Sequence, residues 1–197
     1  MSYGDSRLNI FVLSKCPTES AEMMCDKHIP KMIMEAAQML CTAHRMLDGN
    51  VDRRLSKSGK RTVNYYVHPN NNMEAVLYKA VHHHHPCTVW TMTSKANYDW
   101  HYDHMVGLTE EFKLRFGKTH LTAEKLLDTL RVAPDNIPEI GITPFAQAMS
   151  HYPQCKVEDD PVQAYRNYYH ESKSFAKWEK TRQAPVWWEG FKGELRA

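Results

Sequence analysis

The stretch "IPKMIMEAAQMLCTAHRML" (29–47) predicts a long amphipathic α-helix. Its apolar side chains recur every three or four residues, the spacing that places them on one buried helix face. They are Ile29, Ile33, Ala36, Leu40, Ala43 and Leu47. Pro30 lacks an amide donor and clashes with a preceding helical turn, so a helix that starts near Pro17 must be kinked or divided there. Gly49 is predicted to end the second part.

Periodicity and capping residues predict three further helices. A second long helix spans 94–116, and Gly117 is its C-terminal cap. A shorter helix begins near Thr122. The clearest helix start is Asp160 as N-cap followed by Pro161 at the first position.

The composition indicates a folded chain rather than a disordered one, since 42% of the 197 residues are hydrophobic and 24% are charged. We expect one domain over residues 1–197, a mainly α helical bundle with little or no sheet. The apolar run 7–14 is predicted to be a strand or an extended arm.

Cysteine usage and hydropathy predict a cytoplasmic protein without a membrane span. The five cysteines are odd in number and show no CxxC spacing, which is typical of reduced thiols. No apolar run approaches the roughly 20 residues that span a bilayer. The first apolar stretch is too short for a signal peptide. Because the net charge is only +2, nucleic-acid binding would require a local basic patch.

A polar line along the first long helix carries candidate catalytic groups. His28, Lys31 and Glu35 lie within about 60° of one another around a helix axis, and Lys27 flanks them. A histidine exchanges protons near neutral pH, and neighbouring lysines would keep its ring uncharged. The line predicts an exposed catalytic face, with an ordinary solvated helix face as the alternative.

Asn97, His101, His104 and Glu111 share a face of the second long helix. If that face packs toward His28, we expect Asn97, His101 and Glu111 to line a substrate pocket. The spacing of His101 and His104 also suits a shared metal ion, but no third ligand has a fixed spacing from them, so no metal is predicted. Ordinary polar surface or core histidines are the alternatives.

Several basic and aromatic residues are predicted to contact nucleic acid. The segment 51–61 is predicted to be an exposed loop with five basic residues and one acid. Trp187 and Trp188 could stack on unpaired bases or, equally, close the core. The full predicted set is Lys27, Arg45, Arg53, Arg54, Lys57, His85, Trp187 and Trp188. A merely solvated loop is the alternative for 51–61.

Four segments resemble, in the same order, the phage pyrimidine-dimer DNA glycosylases of the endonuclease V type. The segments are "SRLNIFVLS" (6–14), "DKHIPKM" (26–32), "EEFKLRFG" (110–117) and "APVWWEGFK" (184–192). The resemblance implies the helical bundle of that family and places Arg7 in the site. The family's N-terminal threonine nucleophile falls on Ser6, behind five further residues, and its catalytic glutamate falls on His28. The scaffold is therefore expected to carry different chemistry.

The chain is also similar to phage enzymes that hypermodify DNA, such as amino-acid:DNA transferases. Together these resemblances imply an enzyme acting on a flipped base in duplex DNA, either by transferring an amine or amino acid to a modified pyrimidine or by glycosylase-like chemistry. His28 would be the general base or acid, Lys31 and Arg7 would bind an oxyanion or phosphate, and Glu35 would orient the histidine or the amine.

No cofactor is expected, and the partners are duplex DNA and a small amine or amino acid. The location would be the cytoplasm of the infected host cell if a phage encodes the protein. Two alternatives stay open at this point. One is a non-catalytic DNA-binding protein on the same scaffold, and the other is a metal-dependent helical enzyme using His101 and His104.

Overall fold

The computed structural model describes residues 8–194, and this part of the chain is mainly α-helical. The helices are α1 Pro17–Glu22, α2 His28–Leu47, α3 Asn71–Val76, α4 Pro86–Thr93, α5 Lys95–Phe116, α6 Leu121–Leu130 and α7 Pro161–Ser172, with a 3-10 turn at Pro153–Cys155. Two strands, β1 Asn50–Leu55 and β2 Thr62–Val67, form an antiparallel hairpin. In this described part, no helix is both long enough and apolar enough to cross a membrane.

The two long helices α2 and α5 form the centre of the core, and α1, α4 and α6 pack against them. The predicted apolar stripe of α2 is confirmed. Ile29, Ile33 and Leu40 are fully buried, and Leu47 packs against the core from a partly buried position. Burial of this stripe contributes roughly 1.5–3 kcal/mol per large side chain.

Pro30 lies in the first turn of α2, because the helix begins at His28. Amides in a first turn have no partner within the helix, so the missing donor costs little there. The first helix is divided as predicted, but the break lies at residues 23–27, ahead of Pro30, and not at the proline itself.

The capping predictions for Gly117 and Asp160 are confirmed, whereas α2 ends with Asp48 as its C-cap, and Gly49 behind it does not adopt a left-handed conformation. Ser94 accepts a hydrogen bond from the Asn97 amide at the start of α5, and Gly117 ends that helix with φ +68°. Asp160 accepts from the Gln163 amide at the start of α7.

The prediction of a loop over 51–61 is wrong, because most of it belongs to the hairpin. Asn50 pairs with Val67 and Leu55 with Thr62, and Gly59 turns the chain with φ +69°. All six residues of β1 are exposed. A strand with two exposed faces has no buried face to impose alternation, so the period-2 pattern that reveals strands is missing.

Candidate functional site

His28 lies inside the protein rather than on an exposed face, so that expectation is wrong. Its side chain is 2% exposed, and its Nδ1 is hydrogen-bonded to the Tyr169 hydroxyl at 2.5 Å. The ring stacks on Phe11 at 4.7 Å between centroids and meets Phe175 edge to face. His28 is buried by parts of the chain that are distant in sequence. The N-terminal arm, residues 8–14, and α7 cover the first turn of α2.

Burial lowers the pKa of His28 well below its usual value, and the nearby charges of Lys173, Lys31 and Lys27 lower it further. The ring is therefore neutral at physiological pH, and its Nδ1 is already engaged. A neutral, covered imidazole cannot donate a proton as a general acid near pH 7. These contacts fit a structural, positioning group better than the general base or acid of the sequence-based prediction.

Glu35 and Lys31 lie next to this cluster and are ion-paired. The Glu35 side chain accepts from Lys31 Nζ at 3.2 Å and from the backbone N–H of Asn9 at 3.0 Å. Glu35 is 8% exposed, and burial raises its carboxyl pKa although Lys31 and the Asn9 amide oppose that rise. The carboxylate is thus held by the arm, whereas His28 is held by Tyr169.

The arm beside Glu35 has a strained backbone. Phe11 adopts φ +55°, an unfavourable conformation for a bulky side chain that costs on the order of 1–3 kcal/mol. Its ring lies between His28 and Tyr168, and the buried Lys173 ammonium is 4.3 Å from the Tyr168 ring centroid. Residues held in this way are enriched at functional sites. The predicted Arg7 lies outside the described residues, directly before this arm.

The hairpin brings the predicted phosphate-binding residues together on an exposed ribbon. Arg53, Arg54 and Lys57 are all exposed, and Lys60 and Arg61 extend the same basic surface. The single acid of the segment 51–61, Asp52, is paired with Arg54 at 2.8 Å. We call residues 50–67 the basic hairpin.

A cavity of about 450 Å³ opens between the basic hairpin and residues 79–81. Tyr65 and Tyr66 line it together with Arg54 and Lys79. The Arg54 guanidinium lies 4.4 Å from the Tyr65 ring centroid, a cation–π distance. The sequence-based prediction missed these tyrosines, although the β-branched and aromatic run "TVNYYV" (62–67) is typical of a strand.

Arg45 does not bind phosphate in this arrangement, so that prediction is wrong. It is 5% exposed, and its five N–H groups are used inside the protein. They bind the carbonyls of Tyr66, Glu74, Leu77 and Tyr78 and the Glu74 carboxylate. These hydrogen bonds from Arg45 link β2 and α3 to the C-terminal end of α2.

The predicted substrate pocket on α5 is also wrong, because its residues are buried in structural contacts. Asn97 binds the Trp90 carbonyl and Thr143, His101 binds Thr91, and Glu111 binds Arg115 and Arg182. Burial lowers the pKa of His101 to about 3 and that of His104 to about 4. His101 and His104 have no third metal-ligating side chain beside them in the described residues.

The remaining predicted nucleic-acid contacts are scattered. Lys27 is exposed, with its ammonium 4.4 Å from the Phe175 ring. His85 caps α4 by accepting from the Cys87 amide. Trp187 and Trp188 are half-buried against α7, and Trp188 stacks on His170 at 4.9 Å. The tryptophans therefore fit the core-closing alternative.

In comparisons with known proteins, no family model, no curated protein and no solved structure matches this chain.

Proposed function

We propose that this protein binds duplex DNA through the basic hairpin and acts as an enzyme on a base drawn out of the duplex. The observation that carries the proposal is the exposed ribbon with five basic residues and one acid, on a chain whose net charge is only +2. A two-stranded antiparallel ribbon has the dimensions to enter the major groove. Arginine and lysine side chains on it would hold phosphates.

The cavity beside the hairpin supports recognition of an unstacked base. Tyr65 and Tyr66 offer aromatic surfaces, and Arg54 and Lys79 offer positive charge in the same space. Stacking on an aromatic ring contributes roughly 1–3 kcal/mol per base. A flipped base loses its stacking and pairing in the duplex, and aromatic rings with nearby polar groups replace those contacts.

The Lys31–Glu35 pair lies on the same side of α2 as Thr42, which is hydrogen-bonded to a residue that lines the cavity beside the basic hairpin. Thr42 continues the helix line of Lys31 and Glu35, and its hydroxyl accepts from the Val81 amide. Val81 also lines the cavity beside the hairpin. About 24 Å of helix separates Lys31 from Leu47, so a duplex along this side would span both regions.

For the reaction we propose amine or amino-acid transfer with Glu35, rather than His28, as the general base. Its carboxylate would take a proton from the incoming ammonium, and the amine would attack the 5-methylene carbon of a 5-hydroxymethylpyrimidine phosphate ester, forming the C–N bond as the C–O bond breaks and phosphate leaves. Lys31 would neutralise the departing negative charge. The strained arm at Phe11 and the raised pKa of Glu35 support this assignment. The helical bundle of the pyrimidine-dimer glycosylase type is part of the same proposal.

Photo-crosslinking tests the interface. A duplex carrying 5-iodouracil should crosslink to Tyr65 or Tyr66, and the Tyr65→Leu/Tyr66→Leu variant should lose that product. Tyr152→Leu, a change in a tyrosine far along the chain, is the matched control and should leave the product unchanged. Crosslinks that map only outside 50–67 would refute the proposed interface.

A non-catalytic DNA-binding protein is the second candidate, favoured by the burial of His28 and by the engagement of the α5 polar residues inside the core. It predicts the same crosslinks with no turnover of any modified duplex.

A further inference from the structure

His44, Asp48 and His68 converge at the end of α2 that is remote from His28. His44 lies in the last turn of that helix, Asp48 is its C-terminal cap, and His68 follows β2 directly. One ligand atom from each lies within 4.8 Å of the others. Asp48 Oδ2 is 4.0 Å from His44 Nδ1 and 3.9 Å from His68 Nε2.

Two of these atoms are buried without a hydrogen-bond partner. They are His44 Nδ1 and His68 Nε2, on side chains from residues that are 3% and 8% exposed. Leaving buried polar atoms unpaired costs about 1–3 kcal/mol each, so native structures rarely do so without a bound species. Both atoms face the same carboxylate oxygen, which indicates a shared ligand between them.

The contacts behind His44 and Asp48 hold both side chains in ligand orientations. The Tyr98 hydroxyl donates to the Leu130 carbonyl, so it accepts from His44 Nε2–H at 2.9 Å. This tautomer leaves a lone pair on His44 Nδ1 that points toward Asp48. The Asp48 carboxylate accepts from the backbone amides of Asp135 and Asn136. Such outer hydrogen bonds are typical of metal-binding histidines and carboxylates.

We propose that His44 Nδ1, Asp48 Oδ2 and His68 Nε2 bind one divalent first-row transition-metal ion. A metal ion equidistant from the three atoms would lie at most about 2.5 Å from each of them. Metal–ligand bonds are about 2.0–2.2 Å long, so each side chain would have to move inward by only a few tenths of an ångström. Two imidazoles and one carboxylate favour zinc or iron over calcium or magnesium.

Binding also requires a proton shift on His68. Its Nδ1 accepts from the Asn70 amide at 3.2 Å, which places the proton of the neutral ring on Nε2. On metal binding the proton moves to Nδ1 and that long hydrogen bond breaks. We therefore expect weaker binding than at a site whose ligands are all in the binding tautomer.

The remaining coordination positions would face a cleft of about 640 Å³, lined by Asn70, Asn72, Met73, Asp128 and Asn136 among others. Three protein ligands with open positions are the arrangement of reactive rather than purely structural zinc sites. The metal proposal does not rest on the DNA proposal, since it uses neither the Lys31–Glu35 pair nor the side chains of the basic hairpin, and its test involves no DNA.

Titration of the chelator-treated full chain with Co²⁺ and Zn²⁺ tests the site. Co²⁺ should give a visible absorption band that Zn²⁺ abolishes at one equivalent, and Zn²⁺ should raise the melting temperature. Asp48→Asn and His68→Gln should each weaken binding by about 100-fold or more. Two variants are used because either change alone could disturb folding, which circular dichroism would report.

The histidine tract 82–85 is the necessary control, because its exposed imidazoles could collect metal themselves. The variant His82→Gln/His83→Gln/His84→Gln keeps the capping residue His85 and should retain the Co²⁺ band. Loss of the band in that variant would overturn the proposal. Unchanged binding in a folded Asp48→Asn or His68→Gln protein, or no binding by the parent chain, would overturn it as well, and would leave an ordered water as the shared ligand.

Discussion

The His28 cluster and the basic hairpin both combine cations with aromatic rings, but one is buried and the other is exposed. Around His28, Phe11 and Tyr169 exclude water, and the pKa of the imidazole falls because burial penalises its charge. On the hairpin, the exposed Arg54 covers the ring of the half-buried Tyr65. The first arrangement fixes the arm and α7 in place, and the second keeps its basic side chains at the surface, where phosphates can reach them. Similar residue types thus have different functions according to burial.

The largest expected effect is the loss of turnover when Glu35, which lies on α2 between the two regions, is replaced. Glu35→Gln removes the proposed base but keeps an acceptor for the Asn9 amide, so turnover should fall by about 10²–10⁴-fold while DNA affinity changes little. The assay would use a duplex whose 5-hydroxymethylpyrimidine is activated as a phosphate ester, with free amino acids and mass analysis of the released nucleosides. Glu110→Gln, in an exposed residue of α5, is the matched control. Full turnover by Glu35→Gln would remove this residue from the mechanism.

Next in size is the stability difference between the two regions. His28→Ala should lower the free energy of unfolding by about 2–4 kcal/mol, because it leaves a cavity and removes the hydrogen bond to the Tyr169 hydroxyl. Arg53→Ala on the hairpin should stay within about 0.5 kcal/mol of the parent protein. Urea unfolding measures both changes. If the two variants were equally stable, His28 would not be the buried structural group described above.

A smaller effect concerns the buried histidines of the core. His101 has a folded-state pKa of about 3, below its unfolded value near 6.5, so its contribution to stability is full above pH 6.5 and is lost as the pH falls. Between pH 7 and pH 5 it should account for about 2 kcal/mol of the decline in unfolding free energy. His101→Asn should therefore show a shallower decline than the parent protein in urea titrations at the two pH values. Parallel declines would show that His101 is not a buried neutral group.

Local signals in the sequence were sufficient for the long helices. The α2 stripe and the caps Gly117 and Asp160 act within a few residues, and the structure confirms them. The burial of His28 could not be predicted in this way, because its partner Tyr169 is 141 residues away. Arg45 is a similar case, since its carbonyl partners come from distant turns.

Of the candidate site, the sequence indicated the basic charge of 53–61 but not its hairpin form. Exposed strands lack the alternation that burial imposes. The pairing of His44 and Asp48 with His68 was equally hidden, since only the fold brings His68 to the end of α2.

The salt dependence of DNA binding tests the central claim most directly. Each phosphate that the protein no longer neutralises should flatten the slope of log K against log salt by about 0.9, so replacing Arg53, Arg54 and Lys57 by alanine should flatten it by about two to three units. The control variant replaces Lys113, Lys118 and Lys177, three exposed lysines outside the hairpin, and should keep the parent slope. Fluorescence anisotropy with a duplex between about 50 and 200 mM salt gives all three slopes. Equal flattening in both variants, or no binding by the parent protein at about 50 mM salt, would contradict the assignment of the hairpin as the DNA interface.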